Sequence, residues 1–375
     1  MSGFSLVASR RLAALLTTIL LLVGACSTAT STGPSPSTQP TALLASPTAS
    51  APTPDAIKDG EPWIAYEWVY ELNGVGVNEQ GLQLVRPDGR DHHLLLLTAP
   101  TGHPDWSPDG QRLAVDGGTD EIWTLNADGT DAKQLIACSG APCMYVGYPA
   151  WSPDGKQMAF VRVLTAPAPE NERDQIEVID LTTGATHVVA MPPVAGSEEA
   201  QYVGPRWSPD GAQIVFAVMR YPTPPTDVNI LGSSIAIVNA DGSEADAPRI
   251  LTDPALFGAY PDWSPDGQRI VFNTYPIGSF QDTTKAQNLY TIRPDGTDLT
   301  HVTHFGENDT RAAEPTWTPD GKRITFLYIE RNPSNPGGER LIALIDADGS
   351  NLTLIPVPGE AGYRYGTHAR MRPTP

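Results

Sequence analysis

A heptapeptide that returns five times constrains this chain more than any other feature of it. It reads PDWSPDG at Pro104–Gly110, PAWSPDG at Pro149–Gly155, PRWSPDG at Pro205–Gly211, PDWSPDG at Pro261–Gly267 and PTWTPDG at Pro315–Gly321. The tryptophans, Trp106, Trp151, Trp207, Trp263 and Trp317, recur at intervals of 45 to 56 residues. A period of that length marks blades or stacked units, none of which buries its apolar face alone. The 375 residues, which by length admit two or three domains, therefore read as one repeat assembly behind a leader.

Each motif is followed by a β-type run: RLAV, QMAFVRV, QIVFAVM, RIVFNTY and RITFLYI. A variable stretch comes next, then a second run closing on a Gly turn, as in EIWTLNADGT, IEVIDLTTGA, IAIVNADGS, LYTIRPDGT and LIALIDADGS. Asp-Gly between alternating apolar residues is a strong hairpin signal. A last strand follows each turn, for example over Lys133–Ile136 or Leu352–Ile355. The unit is thus four short antiparallel strands, A to D, with Trp-Ser-Pro-Asp-Gly turning A into B, which predicts a propeller blade.

The two ends explain each other. The first repeat has a strand B at Trp63–Trp68, a strand C at Gly81–Val85 and a strand D at His92–Thr98, but no strand A. At the other end, Ala369-Arg370-Met371-Arg372-Pro373 aligns with Pro-Asp-Trp-Ser-Pro, and Asp59-Gly60 supplies the missing Asp-Gly. The expected fold is all-β: six four-stranded blades over residues 58–375, with the last strand completing the first blade and leaving no sheet edge at the joint.

These repeats resemble the WD40-like propeller repeat of the TolB family, whose namesake is the periplasmic component of the Tol–Pal envelope system. The likeness covers Asp59 to Pro375. The resemblance implies a binding propeller outside the cytoplasm. TolB carries an α/β domain ahead of its ring, whereas a tether stands there in this chain. The same repeats occur in prolyl-oligopeptidase-type peptidases, where a separate α/β-hydrolase domain does the chemistry; here the chain is expected to end where the ring closes.

Ahead of the repeats, Arg10 and Arg11 precede an apolar run, Leu12 to Ala25, too short to span a bilayer comfortably and ending in small residues. Leu22-Val23-Gly24-Ala25-Cys26 resembles a bacterial lipobox, which implies a signal peptide over 1–25, diacylation at Cys26 and a chain anchored outside the cytoplasm. Residues 26–57, rich in Ser, Thr, Pro and Ala, bury too little apolar surface to fold and read as a tether. The other two cysteines, Cys138 and Cys143, stand close together in a compartment that permits a disulfide; reduced thiols or a metal remain as alternatives. A net charge of −19 with no basic block disfavours nucleic acid and anionic lipid headgroups as partners.

In such blades the A–B and C–D turns share one face of the disc, and here they are short and uniform. The B–C loops (69–80, 164–174, 221–232, 275–286 and 331–338) and D–A loops (137–148, 192–204 and 305–314) share the other face and are long and irregular. Loops on a rigid scaffold commonly carry function, so the binding face is expected there, at the mouth of the central channel. Three residues before each motif tryptophan, and before Met371, stand His103, Tyr148, Gly204, Tyr260, Glu314 and His368. Repeat symmetry places them in a ring at that mouth, with Arg206 and Arg370 nearby. Two imidazoles and a carboxylate, His103, His368 and Glu314, have the chemistry of a divalent-metal site. The same groups can equally be hydrogen-bonded within the protein, and the tyrosines with the arginines suit a glycan or peptide end. No G-x-S-x-G, H-E-x-x-H or phosphate-binding G-x-x-x-x-G-K-[ST] motif occurs. The expectation is a monomeric, non-catalytic propeller without a cofactor, docking an envelope protein or peptide. A small-ligand or glycan binder is the alternative, and a metal-dependent lyase or hydrolase a third.

Overall fold

The computed structural model describes residues 57–58, 60–71, 79–96, 102–117, 120–165, 172–192, 198–222, 230–275, 287–306, 310–332, 335–356 and 363–374. The signal peptide, Cys26 and the tether up to residue 56 lie outside them, as do the centres of several long loops.

Among the described residues, twenty-four strands form six four-stranded antiparallel sheets. Blade 2 comprises β4 (Gly102–Trp106), β5 (Arg112–Asp116), β6 (Glu121–Asn126) and β7 (Lys133–Ala137). Blade 3 comprises β8 (Cys143–Trp151), β9 (Gln157–Thr165), β10 (Glu172–Asp180) and β11 (Thr186–Ala190), and blade 4 β12 (Glu198–Trp207), β13 (Gln213–Pro222), β14 (Gly232–Asn239) and β15 (Arg249–Ile250). Blade 5 comprises β16 (Gly258–Trp263), β17 (Ile270–Thr274), β18 (Leu289–Ile292) and β19 (Thr300–His301), and blade 6 β20 (Thr310–Trp317), β21 (Arg323–Asn332), β22 (Asn335–Asp346) and β23 (Thr353–Ile355). Blade 1 is assembled from both ends of the chain, in the order β24 (Tyr363–Met371), β1 (Ile64–Glu71), β2 (Glu79–Val85), β3 (His93–Leu96). Each inner strand touches the next, from β24 through β4, β8, β12, β16 and β20 back to β24, so the ring is closed.

The motif explains the turns. Ser107 Oγ donates to Asp109 Oδ1 at 2.6 Å, Asp109 accepts from Gln111 N–H, and Gly110 at φ 67° completes the reversal into β5. The same Ser/Thr–Asp bond recurs at Ser152, Ser208, Ser264 and Thr318. Blade 1 has Arg372 where the others have that hydroxyl. Its backbone N–H still donates to the strand-B carbonyl, of Trp63, while its guanidinium donates to the carbonyls of Gly110 and Lys58. Arg372 is 2% exposed and lies 5.6 Å from the Trp106 ring, so one side chain fastens the end of the last strand to both the segment leading into β1 and the next blade.

The core lies between blades. Trp106 packs with Trp63, Ala65, Leu82 and Leu84 of blade 1; Trp263 packs with Val215 and Ile237 of blade 4; Trp317 packs with Val271 of blade 5. Several strands run further than the sequence suggests. Of the segment 331–338, whose Asn, Pro and Gly content reads as a loop, the described residues 331–332 and 335–338 extend β21 and β22, with Asn332 paired to Asn335. Likewise β8, β12 and β20 begin inside the expected D–A loops, because strand A must rise past the channel mouth to pair with a long strand B. Cys138 and Cys143 are joined in a disulfide, Cα atoms 5.4 Å apart, beside the core shared by blades 2 and 3.

Candidate functional site: a two-tiered channel

Every inner strand has an interrupted ladder at the same place. Pairing skips between Gly102 and Asp105, Gly147 and Ala150, Val203 and Arg206, Ala259 and Asp262, Ala313 and Thr316, and correspondingly in β24. The first of the two skipped residues has a left-handed backbone in all six blades: His103 (φ 47°), Tyr148 (55°), Gly204 (61°), Tyr260 (49°), Glu314 (55°) and His368 (52°). Five of the six are non-glycine, and this conformation costs an L-residue about 1–2 kcal/mol. In five blades a proline follows, which suits a bulge because it has no N–H to leave unpaired.

These bulged residues form the upper tier. The His103 ring lies 3.9 Å from that of Tyr148 and 4.0 Å from that of His368, centroid to centroid, and Tyr260 stands 5.9 Å from His368. The phenols of Tyr148, Tyr260 and Tyr275 are hydrogen-bonded in series, and burial pushes the Tyr260 and Tyr275 hydroxyls well above the ordinary tyrosine value. Strand B supplies the partners. Asp116 accepts from Tyr148 N–H (3.2 Å) and Tyr145 Oη (3.2 Å), and lies 2.6 Å from His103 Nδ1. Asn273, at the matching position of blade 5, accepts from Glu314 N–H, and Glu67, at that position of blade 1, meets His368 Nδ1 at 3.2 Å. Glu314 in turn accepts from His368 N–H at 2.9 Å, with its other oxygen 3.5 Å from His368 Nε2. Burial works to raise the Asp116 carboxyl, but His103, Tyr148 N–H and His368 leave it below the usual range. Burial likewise works to lower the His368 imidazole, but Glu314, Glu67 and Asp116 raise it above its ordinary value.

Arg206 and Arg370 do not belong to this ring. They sit one tier deeper, at the position immediately before the motif tryptophan or, in blade 1, Met371, where Asp105 and Asp262 also stand. Arg370 Nη1 donates to Asp262 Oδ1 at 3.1 Å, Arg370 Nε lies 3.4 Å from Asp105 Oδ1, and Arg206 Nε lies 4.0 Å from Asp262. Each aspartate also reaches the next blade, Asp105 accepting from Trp151 N–H and Asp262 from Trp317 N–H, both at 2.8 Å. Burial pushes Asp105 up to about 6 and Asp262 up to about 7, although Arg206 pulls both down. Between the tiers is a cavity of about 20 Å³, room for a single water, lined by Tyr260, Glu314, His368, Arg206 and Arg370.

The three residues of the suggested metal set are therefore not arranged as ligands. Glu314 and His368 meet, but the His103 ring lies tilted between those of Tyr148 and His368, at 43° and 56°, and its Nδ1 is engaged by Asp116. Among the described residues no three His, Cys, Asp or Glu side chains are grouped to hold a metal. Residues that sequence reasoning passed over include Glu67, Asp116 and Asn273, the fifth residue of strand B in their blades, and Asp105 and Asp262, which resemble turn aspartates. Their signal is the polar residue ending an apolar run, as in RLAVD and RIVFN.

No family model matches the chain. Dipeptidyl-peptidase 5 of Porphyromonas endodontalis is 33% identical over 146 residues, which make up 38% of this chain and 19% of that protein's length. Among solved structures, a putative TolB from Agrobacterium tumefaciens superposes with a TM-score of 0.52 at 17% identity, over 83% of this chain and 98% of that one. A chain of the nidogen/laminin complex gives a TM-score of 0.53 at 12% identity, with the same coverage. At these identities the likeness establishes the fold, a TolB-like six-bladed propeller.

Proposed function

We propose that this chain is a non-catalytic, extracytoplasmic lipoprotein, held to a membrane through Cys26, whose propeller docks another envelope protein or peptide at the channel mouth. The observation that carries this reading is the repeated bulge. All six blades turn the residue at one position toward the axis, five of them against its backbone preference, and strain of that kind gathers at functional sites. Three carboxylates (Glu67, Asp116 and Glu314) face two imidazoles and two phenols in this tier, which suits a segment carrying Lys, Arg or an N-terminal ammonium. The fold supports a binding role, and a chain of the same architecture occurs in the nidogen/laminin complex. The aromatic cluster of Tyr148, Tyr260 and His103 favours a second reading, a small ligand such as a glycan at the same mouth.

Affinity capture from envelope extract tests the first reading, with the full chain as bait. A matching bait carries His103, Tyr148, Tyr260 and His368 changed to Gly, the residue blade 4 already has at this position. One protein retained by the first bait and lost by the second, with the second still folded, supports docking at the mouth. No protein retained by either sinks it. A sugar and peptide panel then examines the second reading, because a ligand that binds only the folded state raises Tm.

A further inference from the structure

The opposite end of the channel holds a second concavity. On the face of the short Ser-Pro-Asp-Gly turns lies a basin of about 180 Å³, open to solvent, with room for several heavy atoms. Its walls are Trp106, Trp151, Trp207, Pro108 and Pro153, and its floor is the lower tier, Asp105, Arg206, Asp262 and Arg370.

The hydrogen-bond capacity of that floor is unevenly spent. One oxygen of each aspartate is bound to a backbone N–H of the next blade, and the other faces a guanidinium. The cations keep donors in reserve. Arg370 Nη2 is buried without a partner, and its Nε, though 3.4 Å from Asp105, lacks hydrogen-bond alignment. Arg206 uses Nη1 on the carbonyls of Pro205 (2.9 Å) and Pro149 (3.5 Å), while its Nε stands 4.0 Å from Asp262. Buried guanidinium donors without acceptors are costly, and a planar oxyanion satisfies two at once. Burial holds Asp262 partly protonated near neutrality, so the floor leans positive. The indole and proline walls suit an apolar substituent beside the anion.

We propose that this basin is a second binding site, in which Arg206 and Arg370 take the carboxylate of a ligand whose small apolar substituent packs against Trp106, Trp151 and Pro153. A free carboxylic acid and the C-terminus of a peptide both present this chemistry. The full chain is titrated with N-acetylalanine and with the uncharged N-acetylalaninamide at matched ionic strength, reading tryptophan fluorescence and Tm. The acid should give a saturable fluorescence change and raise Tm while the amide does neither. Arg206→Gln should weaken binding about tenfold or more, and Arg206→Lys, which keeps the charge but loses the fork, by less. Should the Gln variant fail to fold, nuclear Overhauser contacts between the acetyl group and indole protons of the unaltered protein give the same decision. Acetyl-trialanine separates the sources: binding at least as tight as the single residue assigns a peptide C-terminus, and exclusion assigns a free acid. Identical responses to acid and amide, or no response to the acid up to about 10 mM, overturn the proposal.

Discussion

The two tiers of the channel occupy neighbouring positions of one repeat, yet they are built differently. The lower tier has ordinary extended backbone, and Asp105 and Asp262 each spend one oxygen on the backbone of the next blade and the other on a cation. The upper tier has left-handed backbone, and its imidazoles and phenols meet one another and side chains of strand B. One tier therefore stitches blades with charge; the other tolerates strain to bring reactive groups to the axis. Two residues of sequence separate the two arrangements, and both are buried to a similar degree.

Removing the hub of the lower tier gives the largest expected effect. Asp262→Ala leaves Trp317 N–H without its acceptor and Arg370 without its closest carboxylate, so urea unfolding should show a loss of about 3–5 kcal/mol, the range for a broken buried ion pair. Asp262→Asn keeps an acceptor for Trp317 and should lose clearly less. A loss below about 1 kcal/mol for the alanine variant would show that this tier holds nothing together.

Titration sharpens the contrast. The folded values of Asp262 (about 7) and Asp105 (about 6) lie above the unfolded carboxylate value, so the native state binds more protons than the unfolded one across that interval. Their joint contribution to stability then falls as pH rises from 5 to 7, by about 3–4 kcal/mol at about 1.4 kcal/mol per proton and pH unit. His368 acts in the same direction but later: its raised value contributes stability below pH 6.5 that is lost as pH climbs through the folded value. Asp116 is depressed, so its contribution stays constant above pH 4 and is lost only in stronger acid. The double variant Asp105→Asn/Asp262→Asn should flatten the slope between pH 5 and 7, and His368→Gln only the part above it. An unchanged slope in the double variant would return the effect to other groups.

In the upper tier the matching deletion should cost less. Asp116→Ala removes the acceptor shared by His103, Tyr145 and Tyr148 but strands no guanidinium, so a loss of about 1–3 kcal/mol is expected by the same unfolding measurement. Losses equal to those of Asp262→Ala would erase the distinction between the tiers.

Much of this was legible in the chain, for a physical reason. A motif that fixes a turn and an inter-blade tryptophan must recur wherever a blade does, so its spacing gives blade number, strand order and closure at Met371, which pairs with Ile64 as Trp106 pairs with Leu113. Counting three residues back from each tryptophan finds the upper tier. What the count misses is the bulge, because His, Tyr and Glu do not advertise a left-handed backbone as Gly204 does; the proline that follows was the available clue. Arg206 and Arg370 were visible as charges, but their depth was not. A side chain just before the tryptophan points down the axis, and its partners, Asp105 and Asp262, look like the turn aspartates a few residues on. The loops were least legible, since Asn, Pro and Gly in 331–338 conceal a hairpin whose pairing is set by the strands beneath it.

The smallest expected effect tests the strain itself. Gly204 occupies the upper-tier position of blade 4 at φ 61°, and a Cβ added there would meet only Tyr260, at 3.7 Å from Cδ1 and 3.9 Å from Cα, ordinary contact distances. Sterics are thus removed from the comparison, and Gly204→Ala reports the backbone term alone. A loss of about 1 kcal/mol is expected from the left-handed conformation, partly offset by a stiffer unfolded chain. That is also the term His103, Tyr148, Tyr260, Glu314 and His368 each carry in their own blades. If Gly204→Ala is neutral, the bulge is free and its repetition reflects only the geometry of strand A. If it has the expected cost, five blades hold that strain in common, and what they gain is a ring of side chains at the axis that extended strands would have turned away.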